Sequence, residues 1–68
     1  MNPLLTIIYD GENDCIRVLA KDGKVLVYTI YEFPNDLYDN DDDQLLFDWV
    51  ISNHKEDILE CLEALGLR

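Results

Sequence analysis

Apolar and polar positions follow one another through the first half of the chain in a pattern that predicts three β-strands. The predicted strands cover residues 4–9, 15–20 and 25–33. The first consists of good strand formers and the third is rich in β-branched and aromatic residues, which favour the extended, half-buried backbone of a sheet. Turn-forming segments at residues 10–13 and 21–24 separate the strands, and Pro34 ends the third because proline cannot donate to the strand ladder.

The turn between the second and third predicted strands sets their register. Gly23 can take the positive φ that a tight hairpin turn needs. A two-residue turn would place Lys21 opposite Lys24, two like charges, so we expect a three-residue turn that pairs Ala20 with Lys24. In that register Ile16, Val18, Leu26, Tyr28 and Ile30 share one face, and Arg17, Val27 and Thr29 share the other.

The second half of the chain changes to the periodicity of a helix, with two separate start signals. In residues 41–44, Asp41 can cap a helix and Gln44 has the capping-box spacing. A second capping-box spacing occupies residues 53–56, and Gly66 is well placed to end the helix that follows. The apolar stripes after the two starts consist of Leu45, Leu46, Trp49 and Val50, and of Ile58, Leu59, Leu62 and Leu65.

Together these elements predict a small α+β domain with the element order βββαα. A three-stranded antiparallel meander has one face to bury, and two short helices packed on that face give a two-layer fold. The 68 residues form a single domain, 1–68, and their 49% hydrophobic content predicts a real but small core.

Charge then narrows the range of functions. The chain has a formal net charge of −10, and residues 25–54 contain no Lys or Arg. Such a charge opposes direct binding to nucleic acid or to an anionic membrane surface. The N-terminus has no basic signal-peptide region, and no segment reaches the roughly 20 apolar residues of a membrane helix. We therefore expect a cytoplasmic protein.

Little in the sequence indicates catalysis or a cofactor. His54 is the only histidine, and its predicted place at a helix N-terminus disfavours its charged form. Cys15 and Cys61 lack metal-ligand spacing and are expected to be reduced thiols that behave as small hydrophobes. The sequence contains no Gly-rich phosphate loop. We expect a non-enzymatic protein without a cofactor or a bound metal.

The dense carboxylates indicate a surface that binds a basic protein partner. Asp residues crowd the segment 36–43, and glutamates recur at i, i+4 and i+7 in the second predicted helix, on one exposed row. Carboxylates spaced along such a stripe can stand in for phosphates in a groove lined with Lys and Arg. Two tyrosines add aromatic anchors with a polar tip. The candidate partner-binding residues are Asp36, Asp39, Asp41, Asp42, Asp43, Glu56, Glu60, Glu63, Tyr31 and Tyr38.

Three other interpretations of these residues stay open. In one, the acidic loop is a solvated helix cap and its charge serves only solubility. In another, Asp39, Asp41 and Asp43 match the first ligand positions of a calcium-binding EF-hand loop, although Gln44 replaces its glycine and Val50 its bidentate glutamate. The third is an antitoxin- or immunity-like interaction module, or a homodimer, that pairs through its sheet or through the apolar surface of its helices. The outer sheet face is expected to hold Val27 and Thr29, with Leu5, Tyr9 and Tyr31.

In size, acidity and mixed α/β pattern, the chain resembles small acidic inhibitor proteins that phages encode. This group includes the uracil-DNA glycosylase inhibitors and many anti-CRISPR proteins, which use acidic surfaces to occupy nucleic-acid-binding sites. The resemblance covers the whole chain through its general character, without a motif matched residue by residue, so no functional position is carried over. It implies a DNA-mimic inhibitor whose partner is a basic, nucleic-acid-handling protein in the host cytoplasm.

Overall fold

A computed structural model of the chain describes residues 5–37 and 43–67. Within these ranges, three strands, β1 (Leu5–Asp10), β2 (Cys15–Ala20) and β3 (Leu26–Ile30), are followed by one helix, α1 (Asp43–Ala64). The strands form an antiparallel sheet in the order β1-β2-β3. The α+β class and the three-stranded meander predicted from the sequence are confirmed.

The two short helices predicted from the sequence are wrong, because one continuous helix takes their place. α1 runs for 22 residues through the expected break. Asn53, predicted to cap a second helix, lies inside α1, and its side-chain Nδ2 donates to the Trp49 carbonyl at 2.8 Å. The buried stripe of α1 continues on both sides of this point, through Leu46, Val50, Ile58 and Leu62. Burial of that stripe against the sheet outweighs the local capping signal.

The end of α1 follows the sequence prediction. Gly66 has a positive φ of 71°, a conformation that L-residues rarely adopt. Its N–H donates to the Glu63 carbonyl at 3.0 Å, and the Leu67 N–H donates to the Leu62 carbonyl at 2.9 Å. These two bonds form a Schellman motif, which satisfies carbonyls that the helix end would otherwise leave without partners.

The turn between β2 and β3 is one residue longer than predicted. The Ala20 N–H donates to the Val25 carbonyl at 3.0 Å, so Ala20 pairs with Val25 and not with Lys24. Gly23 has a positive φ of 71°, and its N–H donates to the Ala20 carbonyl at 2.8 Å. The Asp22 carboxylate accepts the Lys24 N–H at 3.0 Å, and this Asx-type bond favours the longer connection.

A β-bulge at Val27 exchanges the predicted sides of two residues. Val18 pairs with Tyr28 and Leu19 pairs with Leu26, so Val27 is the extra residue of β3. Val27 is only 7% exposed and belongs to the core, whereas Leu26 is 46% exposed. The prediction that Leu26 lies inside and Val27 outside is therefore wrong, because the bulge shifts the two-residue period of side chains by one position.

The core lies between one face of the sheet and one stripe of α1, which runs closest to β3. Its buried side chains are Ile16, Val18, Val27, Ile30, Leu46, Val50, Ile58 and Leu62. Leu5 and Tyr9, predicted for the outer face of the sheet, instead pack against this core. A 22-residue helix is about 33 Å long and a six-residue strand about 20 Å. The helix therefore extends beyond the sheet that it covers.

Asp10 organises the turn between β1 and β2 and links it to β2. Its Oδ1 accepts the N–H groups of Glu12 and Asn13 at 3.1 and 3.3 Å. Its Oδ2 accepts the Asn13 side-chain amide and the Arg17 Nε–H, both at 2.8 Å. The hydrogen bonds from Asn13, together with the positive charge of Arg17, hold the pKa of Asp10 below its ordinary value.

Replacing Asp10 tests this network through its pH dependence. Asp10→Asn keeps an acceptor oxygen but removes the charge, so we expect a lower melting temperature at neutral pH. Because the folded-state pKa of Asp10 is lowered, its contribution is present above the unfolded value of about 4 and is lost as the pH falls through the folded value. Thermal melts followed by circular dichroism should therefore show a difference from wild type that shrinks in acid. Glu12→Gln, an exposed change of equal charge, is the control, and a difference independent of pH would contradict the assignment.

A proline at position 55 distinguishes one continuous helix from two. In α1, Lys55→Pro removes the bond from its N–H to the Ile51 carbonyl and clashes with that turn, which costs about 3 kcal/mol. In a second helix beginning at Asn53, position 55 would lie in the first turn, where proline is tolerated. Urea denaturation of Lys55→Pro and of the control Lys55→Ala measures the difference. Equal stability of the two variants would show that the helix breaks at this point.

Candidate functional site

A row of exposed side chains runs along one side of α1. Its members follow one another at intervals of three or four residues, which places them on one face of the helix, and all are exposed: Leu45, Asp48, Ser52, Glu56, Glu60 and Glu63. We call its four carboxylates, Asp48, Glu56, Glu60 and Glu63, the acidic row. At 1.5 Å per residue, the acidic row extends over about 22 Å of the helix axis. It crosses the predicted helix break, so the continuity of α1 is what makes it a single surface.

Nearly all the charged residues of α1 are acidic. The helix contains six carboxylate residues, Asp43, Asp48, Glu56, Asp57, Glu60 and Glu63, and one basic residue, Lys55. Its last turn holds no basic residue, although the C-terminus is the negative end of the helix dipole. Glu60 and Glu63 lie near that end, and Glu56 and Glu60 are like charges at i and i+4. The Glu56 and Glu60 pair is therefore locally unfavourable for the helix.

Three aromatic rings lie where α1 crosses β3. The ring of His54 lies 5.7 Å from that of Tyr28 and 5.3 Å from that of Trp49, between centroids. In the described part of the chain, His54 Nδ1 is buried without a hydrogen-bond partner. The sequence predicted that His54 lies at a helix N-terminus, and this prediction is wrong because His54 lies in the middle of α1. Burial, and then the negative charge of the nearby Asp57 carboxylate, raise the pKa of Tyr28.

A cleft of about 440 Å³ opens beside the N-terminal half of α1. It is lined by Pro34, Asp36, Leu37, Leu45, Asp48, Trp49, Ser52 and Asn53. The chain after β3 turns beside the helix here, and the Leu37 N–H donates to the Pro34 carbonyl at 3.1 Å. Asp36 and Asp48 therefore lie on the same side of the molecule, and Asp48 accepts a hydrogen bond from the Gln44 amide at 2.9 Å. The cleft adds one more carboxylate to the N-terminal end of the acidic row.

The structure brings together part of the predicted site. Glu56, Glu60 and Glu63 share one exposed helix face, and Asp36 lies beside the start of their row. Tyr31 directly follows β3 and is 70% exposed, but it lines neither the row nor the cleft. Asp43 is the first residue of α1. Tyr38, Asp39, Asp41 and Asp42 lie outside the described residues, and the spacing that resembles a calcium loop falls largely there too.

Two residues of this surface were not identified as site residues from the sequence. In the sequence, Asp48 was interpreted only as a contribution to the total negative charge, and Trp49 was interpreted as part of an apolar stripe. In the structure Asp48 begins the acidic row, and the half-buried Trp49 contacts the core and also lines the cleft. The sequence does contain a signal for the longer row, because Asp48, Ser52 and Glu56 follow one another at four-residue intervals. The prediction of two helices that separate at Asn53 hides this signal, since it assigns Asp48 and Glu56 to different helices.

Comparisons with known proteins leave the site to be interpreted from its own chemistry. No protein-family model, curated protein or solved structure matches the chain.

Across residues 5–37 and 43–67, no group of three His, Cys, Asp or Glu side chains is arranged to hold a metal ion. In the same ranges, no helix has the length and apolar character needed to cross a membrane. Cys15 and Cys61 are free thiols, the first buried and the second half-buried.

The Tyr28 contact gives a prediction at alkaline pH. Because the folded-state pKa of Tyr28 is raised, its contribution to stability is present below the unfolded value of about 10 and is lost as the pH rises through the folded value. Tyr28→Phe removes the titrating hydroxyl, so it should reduce the loss of stability at high pH. Denaturation at neutral and alkaline pH measures this difference, with Tyr31→Phe, at a 70% exposed tyrosine, as control. Identical pH profiles for Tyr28→Phe and wild type would rule out this role.

Proposed function

We propose that this protein is a non-enzymatic binding protein, an inhibitor that uses its acidic row to occupy the basic nucleic-acid-binding groove of a target protein. The observation that carries the proposal is the exposure of four carboxylates along one side of a continuous helix that has one basic residue. A rigid helix presents these charges in a fixed line, which a solvated loop does not.

The position of the charges supports binding over solubility alone. Solubility requires net charge, and carboxylates at the helix N-terminus or on the turns would supply it without opposing the dipole. Glu60 instead lies toward the negative end of α1, at i+4 from the like-charged Glu56, and the last turn of the helix holds no basic residue. A domain of this size has little stability to lose. A line of charge kept in an unfavourable place is the pattern expected of a functional surface.

The spacing of the row suits a partner that binds a nucleic-acid backbone. Glu56, Glu60 and Glu63 are separated by about 6 and 4.5 Å along the helix axis, and Asp48 lies about 12 Å before Glu56. Phosphates of one DNA strand recur every 3.4 Å or so along the duplex axis. The acidic row is therefore less dense than a phosphate strand, but Lys and Arg side chains are long enough to adapt to its spacing. Asp36 lengthens the line at the cleft.

The resemblance to phage-encoded inhibitors favours the same type of target. A basic, nucleic-acid-handling protein in the cytoplasm, the host cytoplasm if the chain is phage-encoded, would meet this surface under strong electrostatic attraction. Such attraction accelerates encounter and weakens as salt screens it. In this proposal, the predicted residues of the acidic loop, Asp39, Asp41 and Asp42, with Tyr31 and Tyr38 as aromatic anchors, extend the contact beyond the helix.

A pair of charge-matched variants tests the proposal. The row variant carries Glu56→Gln, Glu60→Gln and Glu63→Gln. The control variant carries Glu12→Gln, Asp14→Asn and Glu32→Gln, three exposed positions outside the row. Each variant loses three negative charges, so any effect of net charge alone is equal in the two. Immobilised wild type, row variant and control variant are incubated with lysate of the producing cell at low salt and then washed at high salt.

We expect wild type and control to retain a basic nucleic-acid-binding protein that high salt releases, and the row variant to lose it. The purified target should bind wild type with an association rate about tenfold or more above that of the row variant. Wild type should also displace nucleic acid from the target. If the row and control variants retain the same proteins, or if nucleic acid is not displaced, the proposed function is wrong.

A further inference from the structure

The face of the sheet turned away from α1 has no part in the proposed function. Because the core takes alternate residues from each strand, the residues between them point to the opposite side of the sheet. Directly paired positions across the strands identify two rows of side chains on that side. They are Ile8, Arg17 and Thr29, and Thr6, Leu19 and Leu26. We call these six residues the outer face.

The outer face is more apolar than a solvated sheet surface. An antiparallel sheet that faces water on one side normally alternates apolar residues inside with polar residues outside. Here Ile8 is 42% exposed and Leu26 is 46% exposed, with the half-buried Leu19 directly paired with Leu26. The bulge at Val27 contributes to this, because it turns Leu26 outward. The result is an apolar pair on β2 and β3, Leu19 and Leu26, with Ile8 of β1 as its diagonal neighbour.

The outer face is also nearly neutral in a protein of net charge −10. In the described part of the chain, its charged groups are Arg17 and the neighbouring Asp10, which form an ion pair at 2.8 Å. The acidic row lies on α1, on the other side of the sheet. A strongly charged partner therefore gains no electrostatic attraction at the outer face. A surface that is itself apolar and nearly neutral, such as the outer face of a second copy, can pack on it without burying unpaired charge.

We propose that the outer face is a homodimer interface, on which a second copy of this chain packs sheet against sheet. Two chains of −10 repel each other, and this face lets them meet with both helices on the outside. With about 10 Å between the sheets and about 10 Å from each sheet to its helix, the two acidic rows are separated by roughly 30 Å. That exceeds the Debye length of about 8 Å at physiological salt, so their repulsion is largely screened.

The size of the face predicts a weak, reversible dimer. Three strands spaced about 4.8 Å apart and about 20 Å long present a surface of limited area. Stable interfaces bury about 800 Å² on each partner, whereas these strands outline only about 300 Å², so this face is clearly smaller. A two-fold arrangement uses the same patch on both chains, so each apolar residue counts twice. We therefore expect association at micromolar or higher protein concentration, giving a dimer with an acidic row on each outer side.

Salt separates this inference from the proposed function. Binding of the acidic row to a basic groove weakens as salt rises, because attraction is screened. Dimerisation of two acidic chains strengthens as salt rises, because repulsion is screened and the interface is apolar. The two proposals therefore have opposite salt dependences, and either one can fail while the other holds.

Sedimentation equilibrium of the full chain, from low-micromolar to near-millimolar protein at low and high salt, measures the dimer directly. Leu26→Lys puts a charge in the centre of the outer face and should raise the dimer dissociation constant about tenfold or more. Leu65→Lys is the matched control, since Leu65, directly after α1, is 49% exposed and the charge change is the same. Circular dichroism verifies that each variant is folded, and Ile8→Lys replaces Leu26→Lys if the latter is not.

Amide chemical shifts of the wild type, followed with concentration, locate the contact without any substitution. We expect the shifts to change at β1, β2 and β3 residues of the outer face and to stay constant along the acidic row. A protein that is monomeric at near-millimolar concentration in high salt would falsify the proposal. A dimer that Leu26→Lys and Ile8→Lys leave unchanged, or whose shifts map to α1, would also overturn it.

Discussion

Burial of one stripe of α1 against one face of the sheet is the interaction on which the rest of this structure depends. A sheet of three short strands is marginal in water without something packed on it. The helix carries carboxylates toward its negative end and has no basic residue in its last turn, so the interaction of its charges with the helix dipole does not stabilise it. Each layer is therefore stable only through the other. The contact must also offset the self-repulsion of a chain with a net charge of −10.

This dependence explains why α1 is continuous. The capping signal at Asn53 is worth about 1 kcal/mol, as such signals usually are. A break there would separate Val50 from Ile58, both fully buried in the same core. Burying one such side chain contributes about 1.5 to 3 kcal/mol, so the core outweighs the cap. The straight acidic row is a consequence of that balance, since a turn at Asn53 would divide it in two.

The sequence predicted the features that local chemistry controls. The three strands, the positive φ at Gly23 and the helix end at Gly66 depend on propensity and turn chemistry within a few residues. The bulge at Val27 and the continuity of α1 depend on which distant side chains pack together across the core, and local sequence patterns do not show this. The same division holds for the site: the Glu56, Glu60 and Glu63 periodicity is readable in the chain, whereas the position of Asp36 beside Asp48 requires the fold.

The separation of charge between the two sides of the molecule follows from the sheet itself. Like charges directly opposite each other on neighbouring strands are destabilising, because their Cβ atoms lie only about 5 Å apart. A three-stranded sheet in an acidic chain must therefore keep its strands nearly neutral, and Asp10 is tolerated there through its pairing with Arg17. In the described part of the chain, the other carboxylates lie in the turns, in the segment after β3 and on α1, where none faces another across paired strands. The nearly neutral outer face follows from this constraint, and the carboxylates that the sheet excludes are left to the rest of the molecule.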